Sequence, residues 1–326
     1  MTAHAYTEDQ LVEQPAIGLF AALGWQTVSA LDETFGTSAN SGVTLGRETK
    51  GEVVLVDRLR ATLTKFNAGL PPEAIQTAID ELARDRSAMS REAANRDVYR
   101  LLKDGIAVSV PDREHGGQQT ERLRVVDWEQ PQNNDFLLVS QFSVVGSLYT
   151  CRPDLVGFVN GLPWVVIELK KPGVPARSAF DENLTHYKQQ IPQLFCFNAL
   201  LIASNGTDSR VGSLTADWER FFEWKRITRE DEPRRVSLEV MLRGSCDPVR
   251  LLDLVENFTL FSDHKAGLVK VIGQNHQFLG VNNAITSMLQ ARKLGHGRGG
   301  VFWQTQGSGK SFSMPRRSGL RTFPNG

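Results

Sequence analysis

The segment of residues 152–170 constrains the fold of this 326-residue chain more than any other. Its centre is Asn160-Gly161, a pair in which both residues tolerate a positive φ and which is typical of the tight turn of a β-hairpin. We therefore predict two antiparallel strands, Leu155–Val159 and residues 163–170. The first half of the second strand is apolar on both faces, which is typical of a central, buried strand.

Charged side chains interrupt this hairpin at one end. Glu168 and Lys170 follow each other on one face of the second strand, and Asp154 lies at the matching end of the first. Charges there cost free energy unless they are paired or bind an ion. Two carboxylates can hold Mg²⁺, which activates water for attack on a phosphate, and a lysine can stabilise the developing charge. A surface salt bridge of Glu168 with Lys170 or Lys171 is the alternative that the residues alone leave open.

The register of the hairpin limits the metal hypothesis. With Asn160-Gly161 as a regular two-residue loop, Asp154 would lie opposite Ile167. Because side chains alternate between faces, Asp154 and Glu168 would then point to opposite sides of the sheet. A shared metal therefore requires an odd-length loop or a β-bulge. We expect a three-residue loop with Gly161 in the left-handed region.

Strand-like and helix-like segments alternate elsewhere, which predicts an α/β fold with one central sheet. Hydrophobic periodicity and end signals predict helices over residues 7–24, 72–101 and 179–190. Strands are expected over residues 123–127, 135–145 and 198–203.

The composition is typical of a globular protein, with 40% hydrophobic and 23% charged residues, and so argues against a disordered chain. No uncharged apolar run approaches the roughly 18–20 residues of a membrane span, and no secretory signal opens the chain. Three widely spaced cysteines argue against a disulfide framework. These features predict a cytoplasmic protein without a membrane partner.

The formal net charge of zero hides an asymmetry along the chain. The first 263 residues carry 28 basic and 37 acidic side chains, whereas residues 264–326 carry nine basic and no acidic ones. A basic segment of this kind suits phosphate groups, although it can also act as a solubilising tail.

A P-loop lies in this basic segment, within residues 299–311. The backbone around Gly307 and Gly309 can wrap phosphates, Lys310 can reach the terminal phosphates, and Ser311 can hold Mg²⁺. The pattern predicts ATP binding. The chain ends 16 residues after Lys310, and Pro315 interrupts the helix that should follow. We therefore expect a truncated motor that does not hydrolyse ATP.

Three motifs together resemble the PD-(D/E)xK nuclease core of the R (restriction) subunit of type I restriction–modification enzymes. They are RPD at residues 152–154, NGLP at 160–163 and IELKKP at 167–172, and the likeness runs from about residue 11 to 314. The resemblance implies a nuclease-like core with a central mixed sheet flanked by helices, followed by an incomplete start of a helicase-like motor domain. It places the nuclease domain at residues 1–235, a connection at 236–263 and the motor segment, poorly ordered at its end, at 264–326.

The resemblance also implies site residues. Asp154, Glu168 and Lys170 match the catalytic triplet of the family, with Asp154 and Glu168 as metal ligands. Asn183 and Tyr187 stand where the family carries a Gln-x-x-x-Tyr pair, so the glutamine is replaced by the shorter asparagine. The resemblance further implies that Gln277 is the adenine-recognition glutamine. Glu8 or Glu13 of the first predicted helix can supply a further acid near the metal, although acids in a first turn also favour the helix dipole.

Two functions remain open at this point. The first is a Mg²⁺-dependent, type I site-specific deoxyribonuclease module that hydrolyses phosphodiester bonds of DNA, in a complex with methylation and specificity subunits. The second is a truncated, physiologically inactive remnant that binds DNA or the methyltransferase partner without cleaving.

Overall fold

Strands and helices alternate along the chain in a computed structural model, which describes residues 8–36, 44–112, 116–229, 232–233, 235–265, 267–295 and 297–300. The strands are β1 (Gln26–Ser29), β2 (Ile106–Pro111), β3 (Gln118–Leu123), β4 (Phe136–Ser140), β5 (Val144–Val145), β6 (Thr150–Cys151), β7 (Leu155–Val159), β8 (Leu162–Leu169), β9 (Leu200–Ser204), β10 (Ser209–Gly212), β11 (Thr259–His264) and β12 (Gly267–Ile272).

The helices lie before, between and after these strands along the chain. They are α1 (Gln14–Ala22), α2 (Val56–Phe66), α3 (Pro72–Ala83), α4 (Arg91–Asp104), α5 (Ala176–Ser178), α6 (Thr185–Gln190), α7 (Pro192–Phe195), α8 (Ser237–Ser245), α9 (Pro248–Asn257) and α10 (Asn275–Leu294). A π-helical turn, Asp9–Glu13, leads into α1, and another, Ala179–Leu184, joins α5 to α6. The predicted helix over residues 179–190 is therefore confirmed.

A six-stranded sheet with the order β1-β4-β7-β8-β9-β10 lies at the centre. The strands β4, β7 and β8 are antiparallel neighbours, whereas β1 pairs with β4 and β8 pairs with β9 in parallel. Every residue of β4, β7, β8 and β9 is buried, because helices cover the sheet. The prediction of an α/β fold with a central mixed sheet flanked by helices is confirmed.

The predicted single helix over residues 72–101 is wrong, because the chain forms α3 and α4 with a break between them. Arg84 is extended, with φ −56° and ψ 149°, and ends α3. The buried guanidinium of Arg86 then donates to the carbonyl of Leu82 at 2.8 Å, which satisfies a free carbonyl at the end of α3. Ser90 starts α4 afresh, since its hydroxyl accepts from the Ala93 N–H at 3.2 Å.

The predicted strand over residues 123–127 is also wrong. The strand in this region is β3, which ends where the predicted strand begins and pairs with β2 in an antiparallel hairpin. Beyond it, the Asp127 carboxylate accepts from the N–H groups of Glu129 and Gln130, at 3.2 and 3.1 Å, and so folds the chain into a turn. The strand expected over 135–145 is divided into β4 and β5.

Segments beyond residue 235 pack on the same hydrophobic core. The Trp25 indole, which lies over Gly157 of β7, donates to the Cys246 carbonyl at 3.0 Å. Phe278 of α10 is buried and lies 5.7 Å from the Trp224 ring. Across the described part of the chain, no helix combines the length and apolar character needed to cross a membrane. The predicted poorly ordered end and residues 301–311 of the predicted P-loop segment lie outside the described residues.

Candidate active site

The turn of the central hairpin has two residues. Asn160 and Gly161 have φ values of 54° and 80°, and the flanking residues of β7 and β8 pair directly. The expected three-residue loop is therefore wrong. The buried Asn160 amide explains the tight turn, since it donates to the Val125 carbonyl at 3.0 Å and accepts from the Asp135 N–H at 2.8 Å. A Cβ at Gly161 would lie 2.5 Å from the Leu55 carbonyl oxygen.

A β-bulge in β8 restores the register that a shared metal requires. Gly157 pairs with Val165 and Phe158 pairs with Pro163, so that Trp164 is the extra residue. The bulge that the metal hypothesis required is confirmed. Proline has no N–H to give to a ladder and is tolerated at bulges, which accounts for the position. Leu155 faces Ile167, and the same register places Asp154 opposite Glu168.

The two carboxylates and the lysine meet at this strand end. An Asp154 oxygen accepts from the Leu169 N–H at 2.8 Å, and Lys170 Nζ lies 3.9 Å from Glu168 Oε1. Glu168 is only 2% exposed, and its Oε2 has no hydrogen-bond partner among the described residues. An unsatisfied buried oxygen is costly, and a cation bound to it would remove that cost.

The electrostatics of the pair favour a bound cation. Burial, followed by the nearby Asp154 charge, raises the pKa of Glu168 well above its ordinary value. The pKa of Asp154 is raised to about 6, mainly by burial and also by the charges of Glu13 and Glu8, although the hydrogen bond from the Leu169 N–H lowers it. Two buried carboxylates of this kind ionise together only when a positive charge lies between or beside them.

Tyr187 and Asn183 extend the site from the helical segment. The Tyr187 hydroxyl donates to Glu168 Oε1 at 3.4 Å and lies the same distance from the Arg152 carbonyl oxygen. The Asn183 amide donates to the Tyr187 hydroxyl at 3.3 Å. Burial raises the pKa of Tyr187, so the phenol stays protonated as a donor. Although Asn183 is shorter than the glutamine of the family, its side chain still reaches the Tyr187 hydroxyl.

Glu13 lies beside this group and is held by a residue that sequence reasoning missed. Both Glu13 oxygens are 3.1 Å from the Gln141 side-chain nitrogen, and the Gln141 N–H donates to the Asp154 carbonyl at 2.8 Å. Gln141 has φ 58°, an unusual value for a residue other than glycine. Burial raises the pKa of Glu13, and the Gln141 hydrogen bond opposes it. No local sequence pattern predicts the contact between Gln141 and Glu13.

The donor set fits a hard divalent cation with few protein ligands. In the described ranges, no three His, Cys, Asp or Glu side chains are grouped as a metal site. The protein ligands would thus be Asp154 and Glu168, with water completing the shell. Mg²⁺ keeps several waters and is commonly bound through one or two carboxylates. The unpartnered Glu168 Oε2 is the atom that such an ion would contact.

Residues 5–220 match the family described as type I restriction enzyme R protein N terminus (HSDR_N). The chain belongs to this family. The match covers the hairpin, the carboxylates and the helix that carries Tyr187. A second match, to the SWI2/SNF2 ATPase family, covers residues 276–319.

Curated relatives of this R protein N-terminal family align over most of the chain. The type I restriction enzyme HindI endonuclease subunit of Haemophilus influenzae is 35% identical over 93% of this chain and 29% of its own length. The putative MjaIXP endonuclease subunit of Methanocaldococcus jannaschii is 27% identical over 94% of this chain and 30% of its own. The chain therefore spans about 30% of the length of these relatives.

The predicted nucleotide-binding residues are only partly described. Gln277 lies in the first turn of α10, is buried, and accepts from the Gln274 N–H at 2.9 Å, so that it caps the helix. The other predicted nucleotide-binding residues, Gly307, Gly309, Lys310 and Ser311, lie outside the described residues.

Proposed function

We propose that this chain is the nuclease-bearing part of a type I restriction enzyme R subunit, with a PD-(D/E)xK core that hydrolyses phosphodiester bonds of DNA with Mg²⁺. The observation that carries the proposal is the meeting of Asp154, Glu168 and Lys170 at one strand end, with a buried, unpartnered carboxylate oxygen. The family supports the reaction class, since the relatives are named as endonuclease subunits.

The site residues divide the chemistry among themselves. When bound, Mg²⁺ would supply a Lewis acid for a phosphoryl oxygen and lower the pKa of a bound water. Asp154 and Glu168 would hold the ion; Tyr187 donates a hydrogen bond to Glu168 Oε1, so the unpartnered Oε2 would remain available to it. The Lys170 ammonium stabilises the negative charge that develops on the phosphate oxygens. Hydrolysis forms one P–O bond from water and breaks one ester P–O bond.

Remaining roles follow from the family and the second match. We propose that residues 1–235 form the nuclease domain, 236–263 a connection and 264–326 the start of an ATP-dependent motor. Gln277 and the P-loop residues would bind ATP, in agreement with the SWI2/SNF2 ATPase match. DNA and the methylation and specificity subunits of a restriction complex are the proposed partners, in the cytoplasm.

The test is cleavage of supercoiled plasmid by the purified full chain over a range of Mg²⁺ concentrations. We expect Mg²⁺-dependent nicking that Asp154→Asn and Lys170→Ala abolish. Asp181→Asn is the matched control, because Asp181 is an exposed acid paired with Arg177 on the neighbouring helical segment. DNA binding without any metal-dependent nicking by the unaltered chain would refute the nuclease and favour the inactive-remnant hypothesis.

A further inference from the structure

The tip of the β5–β6 hairpin exposes apolar side chains close to Asp154. Leu148 is 75% exposed and Tyr149 is 61% exposed. Tyr149 is the most exposed aromatic side chain in the described part of the chain. The chain then passes through the buried Cys151 and reaches Asp154 within five residues. Exposed apolar side chains of this size next to a candidate active site suggest a contact surface.

The base of this hairpin is firmly anchored. The Val145 N–H donates to the Lys50 carbonyl at 3.0 Å, and the Val145 carbonyl accepts from the Gln193 amide at 2.9 Å. Gly146 approaches the end of α6 so closely that a Cβ would lie 2.1 Å from the Gln190 carbonyl oxygen. The exposed tip is therefore held in a fixed place relative to the helix that carries Tyr187.

A row of rings connects the tip to the carboxylates. The ring centroids of Tyr149 and His186 are 6.2 Å apart, and those of His186 and Tyr187 are 6.4 Å apart. Tyr187 ends the row with its hydrogen bond to Glu168. A base that stacks on Tyr149 is therefore separated from the carboxylate site by the rings of His186 and Tyr187.

We propose that Leu148 and Tyr149, backed by His186, hold an unstacked base of the DNA strand next to the scissile phosphate. The proposal rests on the proposed function of the site. Every base offers a π-face to an aromatic ring, and an apolar side chain can wedge between base steps. Two exposed, basic residues flank this hairpin and match the charge of the DNA phosphates: Arg152 follows β6, and Lys50 contacts the base of the hairpin through its carbonyl.

Binding of a fluorescent duplex by the full chain tests this proposal. The chain carries Asp154→Asn to prevent cleavage, and the duplex contains 2-aminopurine, whose fluorescence rises when the base unstacks. With Leu148→Ser and Tyr149→Ser combined, we expect Kd to rise about tenfold, equivalent to about 1.4 kcal/mol, and the fluorescence rise to disappear. Tyr149→Phe should retain both. Val236→Ser is the control, since Val236 is 61% exposed at the start of α8.

Two results would overturn the proposal. One is an unchanged Kd and fluorescence rise in the double variant. The other is unchanged DNA binding together with lost association with the methylation subunit, which would assign the tip to a protein contact. Neither depends on cleavage. A chain that fails to nick plasmid but unstacks the base through Tyr149 would contradict the nuclease reaction alone.

Discussion

Lys270 of β12 is a buried lysine whose charge should reduce the stability of the fold at neutral pH. It is 3% exposed, its ammonium donates to the Asn198 carbonyl, and the Phe261 ring lies 5.6 Å from it. Burial lowers the pKa of Lys270 from its ordinary value of 10.5 to about 7. The folded chain thus loses this proton near neutral pH, whereas the unfolded chain keeps it until the pH approaches the ordinary pKa.

This difference in the pKa of Lys270 between the folded and the unfolded chain sets the free-energy cost of burying its charge. The cost is present in full below the folded-state pKa and disappears as the pH rises from about 7 towards 10.5. Lowering the pKa by this amount corresponds to roughly 5 kcal/mol, at about 1.4 kcal/mol per decade, and removing the hydrogen bond offsets about 1 kcal/mol of it. The Asn198 carbonyl keeps a partner, because the Asn95 amide also donates to it, at 2.9 Å.

We therefore predict that Lys270→Met raises the free energy of unfolding at pH 6, by no more than about 4 kcal/mol. This gain in stability should be smaller at pH 9. Urea denaturation of the full chain at both pH values measures the effect. Lys265→Met, at an exposed lysine of the same hairpin segment, should change little at either pH. A gain for Lys270→Met that is the same at pH 6 and pH 9, or a loss at both, would refute the reasoning.

Three further predictions concern the turn, the site and a helix start. Gly161→Ala should lower the free energy of unfolding by about 2 kcal/mol or more, because of its positive φ and the close Leu55 carbonyl; a loss below about 0.5 kcal/mol in denaturation would be inconsistent with this geometry. Gln141→Gly should preserve folding, because glycine adopts the positive φ without strain. It should lower kcat/KM for plasmid cleavage about tenfold, because Glu13 loses its hydrogen bond. An unchanged kcat/KM would show that the Glu13 contact does not contribute to cleavage. Ser90→Ala should cost about 1 kcal/mol of stability through lost capping of α4, whereas Ser87→Ala, in the loop before the cap, should cost less; equal losses would argue against the cap.

The sequence is sufficient to predict the centre of the fold and the meeting of the charged residues. The pair Asn160-Gly161 predicts the hairpin turn. With a two-residue turn, Asp154 and Glu168 lie on the same face of the sheet only if one strand contains a bulge. The location of that bulge depends on Pro163 and on the space that buries Trp164, and the second of these is a tertiary property. The tight turn also depends on the partners of the Asn160 amide, which come from distant segments.

Other features have no signal in the sequence. Gln141 meets Glu13 across 128 positions of the chain, so no local pattern connects them. The strand β3 is mostly polar and exposed, and its pairing with β2 offsets its weak strand pattern. In the sequence, Lys270 is not distinguishable from the other lysines and arginines of the basic segment, although the fold buries it. Each case reflects tertiary contacts that override or lack a local preference.

The most direct test of the metal site is anomalous diffraction from crystals of the full chain soaked in MnCl₂, with Mn²⁺ as the probe in place of Mg²⁺. The proposal predicts a peak bonded to an Asp154 oxygen and to Glu168 Oε2, and no such peak in Glu168→Gln crystals. Ordered density in which Glu168 Oε2 contacts only Lys170 or water, with no Mn²⁺ peak at saturating concentration, would contradict it.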